Sequence, residues 1–314
     1  MNRTNTENRP VILVTGATGA QGGSVARALL KEDKYRVRIF TRNPNSQKAR
    51  MLERSGAEIA TGDMEDPGSL AKAMNGVWGV FAITNFWEHF AKEFQLGVNI
   101  IDAACEAGVS HFVMHSLDDY YTISRGRYSV PHCDIKASLE RYARRSGIPS
   151  TFVRTAFYYE NFFSVFPLQK GEDNSFHFGF PQGDTRLAMT SAEDVGGIVS
   201  AIFDQPGQFN GRSVGVVGED YTCEEYAAIM SRVLRRNIRY NHIPREVYAS
   251  YGFPGAEELA NMFEVQRLFI PERTEDLLES YRLNPSMQGF EAWVERNKYR
   301  FFSFFNSQFQ AMVI

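Results

Sequence analysis

The residues best placed to do chemistry are a glycine triplet, a cation about twenty residues beyond it, and a histidine and a lysine four positions apart. In Gly16-Ala17-Thr18-Gly19-Ala20-Gln21-Gly22, the first glycine permits a tight turn and the second lets backbone approach a diphosphate. The third allows a helix to pack close to a strand. A helix starting there offers free N–H groups and partial positive charge to an anion. No Gly-Lys-Ser/Thr follows, which excludes a P-loop. An NAD site usually carries Asp or Glu at the end of the second strand, to bind the ribose 2′-hydroxyl. This chain has Thr41-Arg42-Asn43-Pro44 there. A guanidinium at that point attracts a 2′-phosphate, and Lys48 adds a second positive charge. The pattern points to NADP(H) rather than NAD, the alternative being two solvated loop charges. Gly62-Asp63 falls where it would touch an adenine, although a plain turn looks the same.

Reducing a carbonyl with NADPH also needs a proton donor. Short-chain dehydrogenases use Tyr-x-x-x-Lys, which places both side chains on one helix face. None of the 14 tyrosines has a lysine four residues later. His132-Cys133-Asp134-Ile135-Lys136 stands at the corresponding position. An imidazole suits proton transfer near neutrality, but an ammonium one turn away disfavours its charged form. His132 therefore reads as a hydrogen-bonded residue at a helix start. It and Lys136 are candidates only, and no catalytic residue is assigned. Ser116 either orients a substrate or forms a turn. Phe86, Trp87, Phe157 and Tyr158 either sandwich a planar substrate or belong to the core.

The elements that must position these residues alternate strand and helix. Val11 to Thr15, Arg36 to Thr41, Ala57 to Ala60, Val77 to Ile83, His111 to His115 and Ser150 to Arg154 read as strands. Helices follow the glycine turn, run from about Glu88 to Ala107, and span Pro131 to Gly147. This order implies a Rossmann α/β fold, a doubly wound parallel sheet with helices on both faces. Past residue 155 the elements shorten into a smaller, mostly helical lobe. Helices are expected near Ser191, at the Thr222-x-x-Glu225 capping box, and over Phe253 to Phe263. Arg212 to Val217 reads as a strand returning to the main sheet. The expected division is a disordered lead-in over 1–9, a dinucleotide-binding domain over 10–155, the lobe over 156–300, and a tail over 301–314. The aromatic run Phe301 to Phe305 is expected to pack.

Composition adds exclusions. With 43% hydrophobic and 23% charged residues, the chain resembles an ordinary globular protein. A net charge of -3 gives no reason to expect nucleic-acid binding. No apolar run approaches the ~20 residues of a membrane span, and the first ten residues lack the apolar core of a signal peptide. Cys105, Cys133 and Cys223 lack metal-ligand spacing. Three scattered cysteines fit free thiols in a reducing compartment, hence a cytoplasmic address, with nuclear entry left open.

These residues resemble the NmrA-like family, an atypical branch of the short-chain dehydrogenase/reductase fold. The resemblance rests on Gly16 to Leu30, Thr41 to Pro44, Ile83 to Glu88, His132-x-x-x-Lys136, Tyr159 to Phe162, Phe253 to Ala256 and Leu259 to Phe263. Within the family the resemblance is close to the redox-sensing proteins of animals. It implies that Gly16, Thr18, Gly19, Ala20, Gln21 and Gly22 hold the pyrophosphate and that Arg42 and Lys48 take the 2′-phosphate. It also implies that Thr84 and Asn85 line the middle of the cofactor and Lys136 reaches the nicotinamide ribose. Tyr158, Glu160 and Asn161 would close over the ring end. Two readings follow. The first is a regulatory protein that senses NADPH/NADP redox state, acts through protein partners, forms a cofactor-dependent homodimer and lacks dehydrogenase activity. The alternative is an NADPH-dependent reductase of a quinone, enone or similar small molecule.

Overall fold

The computed structural model describes residues 8–310 except 172, 174 and 271; residues 1–7 of the expected lead-in and 311–314 of the tail lie outside the described residues. The first half runs β1 (Val11–Val14), α1 (Ala20–Glu32), β2 (Arg36–Thr41), α2 (Gln47–Arg54), β3 (Glu58–Thr61), α3 (Pro67–Met74) and β4 (Gly79–Ala82). It continues through α4 (Phe86–His89), α5 (Glu93–Glu106), β5 (His111–Ser116), α6 (Tyr120–Ile123), α7 (Pro131–Ser146) and β6 (Ser150–Thr155).

Continuous apolar stretches make the central strands: every residue of β1, β4 and β5 is buried, as a sheet covered on both faces requires. The ends of α7 follow from chemistry. Pro131 supplies its pre-set φ at the first position, and Gly147 closes the helix at φ +76°.

The second half begins with β7 (Phe157–Tyr158), β8 (Gln169–Lys170), β9 (Phe176–Phe180), β10 (Arg186–Thr190), α8 (Val195–Asp204), α9 (Pro206–Phe209) and β11 (Ser213–Val216). Then come β12 (Glu219–Thr222), α10 (Cys223–Leu234), β13 (Ile238–His242), α11 (Arg245–Ala249), α12 (Ala256–Phe269), α13 (Thr274–Leu283), α14 (Phe290–Arg296) and α15 (Lys298–Gln310).

The main sheet has the order β11-β6-β5-β4-β1-β2-β3, and every adjacent pair is parallel. The chain winds from β1 to β3 in one direction and from β4 through β6 to the returning β11 in the other. That reversal opens a crevice beyond the carboxyl ends of β1 and β4. Val25 and Leu29 of α1 pack with Ile198 and Ile202 of α8 on one face. Leu70, Ile100 and Leu139 of α3, α5 and α7 cover the other.

Three expectations are refined. The lobe is mostly helical, as expected, and also carries two small sheets, β12-β10-β7 and β13-β9-β8. Their strands are two to five residues long, too short to stand out from loops. The helix expected from Glu88 to Ala107 is interrupted, with α4 ending at Phe90, whose φ of +46° is left-handed, before α5 begins. The helix expected near Ser191 forms as α8, without Ser191 as its cap. The Ser191 hydroxyl donates to Glu160 Oε1 at 2.7 Å, and α8 starts only after Asp194. The capping box of α10 is present, with both the Thr222 and Glu225 bonds formed. Phe301 and Phe305 are buried in the lobe core, against Phe163 and Phe176 respectively.

Candidate dinucleotide and acceptor cleft

The crevice begins where β1 gives way to the glycine turn. Thr15 at that point is tied to β4: its hydroxyl donates to Ile83 O at 3.1 Å and accepts from Ile83 N at 2.8 Å. Gly16 then turns at φ +60°, where a side chain would be strained and its Cβ would lie 2.7 Å from Ile83 Cγ2. A Cβ on Gly22 would sit 2.4 Å from Gly16 O, so only glycine lets α1 start this close to β1. The N–H groups of Ala20, Gln21 and Gly22 have no partner among the described residues, and Gly19 offers no side-chain cap. Gln21 Oε1 is likewise buried without a hydrogen-bond partner. A helix start with free amides beside an orphaned acceptor fits the diphosphate of a dinucleotide.

The cleft has a volume of about 850 Å³. Its walls include Gly16, Thr18, Gly19, Ala20, Gln21 and Gly22 at the turn, Arg42, Lys48, Gly62 and Asp63 at one end, and Thr84, Asn85, His132, Lys136, Tyr158 and Asn161 towards the other. Glu160 is the exception and is corrected here. Its carboxylate accepts from Ser191 Oγ, Ala192 N and Trp293 Nε1, an anchor joining the turn after β7 to the segment before α8 and to α14, away from the cleft. Ser116 also lies outside the lining: its hydroxyl donates to Glu140 Oε2 at 2.8 Å.

Two of the cleft's cations, Arg42 and Lys136, are already paired. Arg42 donates to the carboxylate of Glu88 on α4, and this partner holds the Glu88 carboxyl below its ordinary range. Both side chains are about half exposed, at 58% and 44%. Lys136 Nζ donates to Glu93 Oε1 at 2.5 Å and to Thr84 O at 3.1 Å, inside the protein. The two glutamates flank the break at Phe90, so one connection supplies both counter-charges.

His132 sits one turn before Lys136, and both residues line the cleft. Its backbone N and its Nδ1 donate to Glu258 Oε1 of α12, at 2.7 and 2.5 Å. The distant carboxylate thus caps α7 and grips the ring together. Deeper in, Tyr158 Oη donates to Thr155 Oγ1 at 2.8 Å, and His115 Nε2 lies 3.1 Å from the same hydroxyl. Burial pulls His115 well below its ordinary value and keeps it neutral.

Beyond His132 the cleft becomes an apolar chamber, walled by Phe86, Trp87, Tyr120, Phe157, Phe166, Leu259 and Met262. The Trp87 ring lies 5.4 Å from the His132 ring and is 45% exposed. Burial drives Cys133 well above its ordinary thiol value, so it stays an unreactive thiol at the chamber wall. Among the described residues there is no cluster of metal-ligating side chains, and no helix is long and apolar enough to cross a membrane.

Sequence reasoning missed Glu88, Glu93 and Glu258. Glu93 had a signal: it falls on the buried stripe of α5 with Leu96, Ile100 and Ala104, a glutamate at a core position. Glu88 stands inside a quoted motif and Glu258 between two of them, but their partners lie far along the chain.

The model of the NmrA-like family matches residues 8–288. This chain belongs to the NmrA-like family. Relatives include an NmrA-like family domain-containing oxidoreductase, FrzB, from Cladobotryum sp, 33% identical and covering 84% of this chain and 88% of that one. An NmrA-like family domain-containing protein from Dictyostelium discoideum is 30% identical over 76% of this chain and 83% of its own. Among solved structures, the negative transcriptional regulator NmrA in complex with NADP superposes with a TM-score of 0.80, at 23% identity, covering 91% of this chain and 94% of that one. That likeness is one of fold.

Proposed function

We propose that this NmrA-like chain binds NADP(H) and passes hydride to a flat, largely apolar acceptor such as a quinone or enone. The observation that carries the reading is a single cleft in which a diphosphate cradle leads into an aromatic chamber. The reduced dinucleotide supplies the hydride when bound. The amides of Ala20 to Gly22 hold its diphosphate, Arg42 and Lys48 its 2′-phosphate, and Lys136 with Asn85 the ribose of the nicotinamide end. Phe86, Trp87 and Phe157 stack the acceptor and exclude water. The family's oxidoreductase-named members support this reading. The test is anaerobic NADPH oxidation over a panel of quinones, enones and simple carbonyls. Turnover with a flat conjugated acceptor is expected, and cofactor uptake without turnover of any acceptor would sink it.

A second reading is a redox-responsive regulator acting through protein partners or self-association. The observation favouring it is that Arg42 and Lys136 are both held by carboxylates of one interrupted connection, residues 85–93. A ligand competing for those cations acts on that connection, and unequal affinity for its two states is what a switch needs. Because the 2′-phosphate is common to NADP and NADPH, redox discrimination would have to arise near Asn85, Lys136 and Tyr158. Identical hydrogen-exchange patterns and oligomer states with NADPH and NADP would exclude this reading.

A further inference from the structure

We infer that His132, oriented by Glu258, is the proton donor to an acceptor oxygen held in the aromatic chamber. The inference rests on the reductase reading and supplies the acid that reading lacks. His132 occupies the helical position one turn before Lys136, where a tyrosine would otherwise serve, and its ring lines the cleft. The sequence-level objection was repulsion from Lys136. That objection loses force because Lys136 is neutralised by Glu93 at 2.5 Å. The carboxylate of Glu258 on α12 is bonded to the ring, Asp134 on its own helix interacts with it electrostatically, and the Lys136 ammonium is paired with Glu93 of α5.

Geometry assigns the two ring nitrogens different tasks. Nδ1 donates to Glu258 Oε1 at 2.5 Å, a charge-assisted bond that fixes the ring. Nε2 has no partner among the described residues. Phe86 and Trp87 flank the ring at 6.1 and 5.4 Å, so a flat acceptor stacked there brings its oxygen beside Nε2. In the step, hydride from the reduced dinucleotide bonds to the acceptor's carbon, and the C=O π pair moves to oxygen. That oxygen takes the proton from Nε2, leaving a neutral ring with its Nδ1–H still on Glu258. The two electrons the acceptor gains would be those the bound reduced dinucleotide supplies, and the ring regains its proton from water through the open cleft. His132 is the catalytic residue and Glu258 a positioning residue.

His132→Asn tests this without unmaking the helix cap, since the asparagine amide reaches Glu258 as Nδ1 does while Nε2 is lost. The first readout needs neither cofactor nor turnover: absorbance titration with 4-nitrophenol, whose phenolate mimics the developing oxyanion. Wild type is expected to bind it with a shift towards the phenolate band. His132→Asn should lose about tenfold or more in affinity, together with that shift. The second readout is anaerobic NADPH oxidation by a neutral quinone or enone, where His132→Asn should lower kcat about 100-fold at unchanged NADPH affinity. Glu258→Gln should lower kcat several-fold with KM unchanged, a split that a purely structural cap would not produce. Equal nitrophenol binding and kcat within twofold in His132→Asn would overturn the proposal alone. Absence of NADPH oxidation by wild type with every acceptor would overturn the reductase reading and the proton-transfer step with it.

Discussion

Arg42 is exposed and already paired, so its contribution to selectivity is the difference between two partners. Exchanging the Glu88 carboxylate for a 2′-phosphate replaces a solvent-screened ion pair, worth at most about 1 kcal/mol, with a bidentate contact worth about 1.5–3 kcal/mol. Arg42→Ala is expected to weaken NADPH about 10- to 100-fold while leaving NADH within twofold. A fluorescence titration showing equal losses for both would assign Arg42 another role. Asp194, before α8, makes a separate prediction. Burial pushes its carboxyl up to about 6, while its bond from Gln288 N opposes the shift. The folded state therefore holds this proton more tightly than the unfolded chain, whose carboxyl titrates near about 3.9. Its contribution is full below about pH 4, is lost as pH rises through about 6, and stays lost above. Asp194→Asn keeps an acceptor for Gln288 and removes that loss. It should stabilise the protein by about 2 kcal/mol near neutrality and by little below about pH 4. Urea unfolding with the same gain at both pH values would contradict this.

At the scale of elements, the glycine turn separates folding from binding. Gly19 has φ -85° and ψ -178°, open to any residue, and a Cβ there would lie 3.2 Å from Gly16 O. Gly19→Ala should melt within a few degrees of wild type yet lose at least about tenfold in dinucleotide affinity, because the methyl stands between the amides and the diphosphate. Gly22→Ala, with backbone 2.4 Å from the new Cβ, should instead lose stability by about 1–3 kcal/mol or more. Thermal melts beside binding titrations distinguish the two outcomes. The strands of the main sheet were legible because buried parallel strands are short apolar runs between turn residues, as in Val11 to Val14. The break in the α4–α5 connection was not legible, since Phe90 carries no glycine or proline signal for its left-handed backbone. The small sheets escaped for another reason: β7 and β8 are two residues long and show no period.

Across the whole molecule, the cleft is assembled from both halves. The Rossmann half contributes the diphosphate cradle, Arg42 and the His132–Lys136 face, while α12 contributes Glu258, Leu259 and Met262. Motif spacing located the first set because each member lies within one strand–turn–helix or one helix turn. It could not locate the second, whose partners meet across more than a hundred residues, nor show that Glu160 faces the lobe core instead of the cleft. The lobe in turn depends on its aromatic packing: Phe180 stacks on Phe263 at 4.2 Å, one turn beyond Leu259, which fixes α12 where its side chains close the chamber. Everything proposed for the chamber presupposes that the cradle takes up a dinucleotide. Isothermal titration of the folded 314-residue chain with NADPH and with NADH tests this most directly. One NADPH per chain at micromolar affinity or tighter is predicted, with NADH weaker by tenfold or more. No measurable heat with either coenzyme, or a clear preference for NADH, would contradict the account.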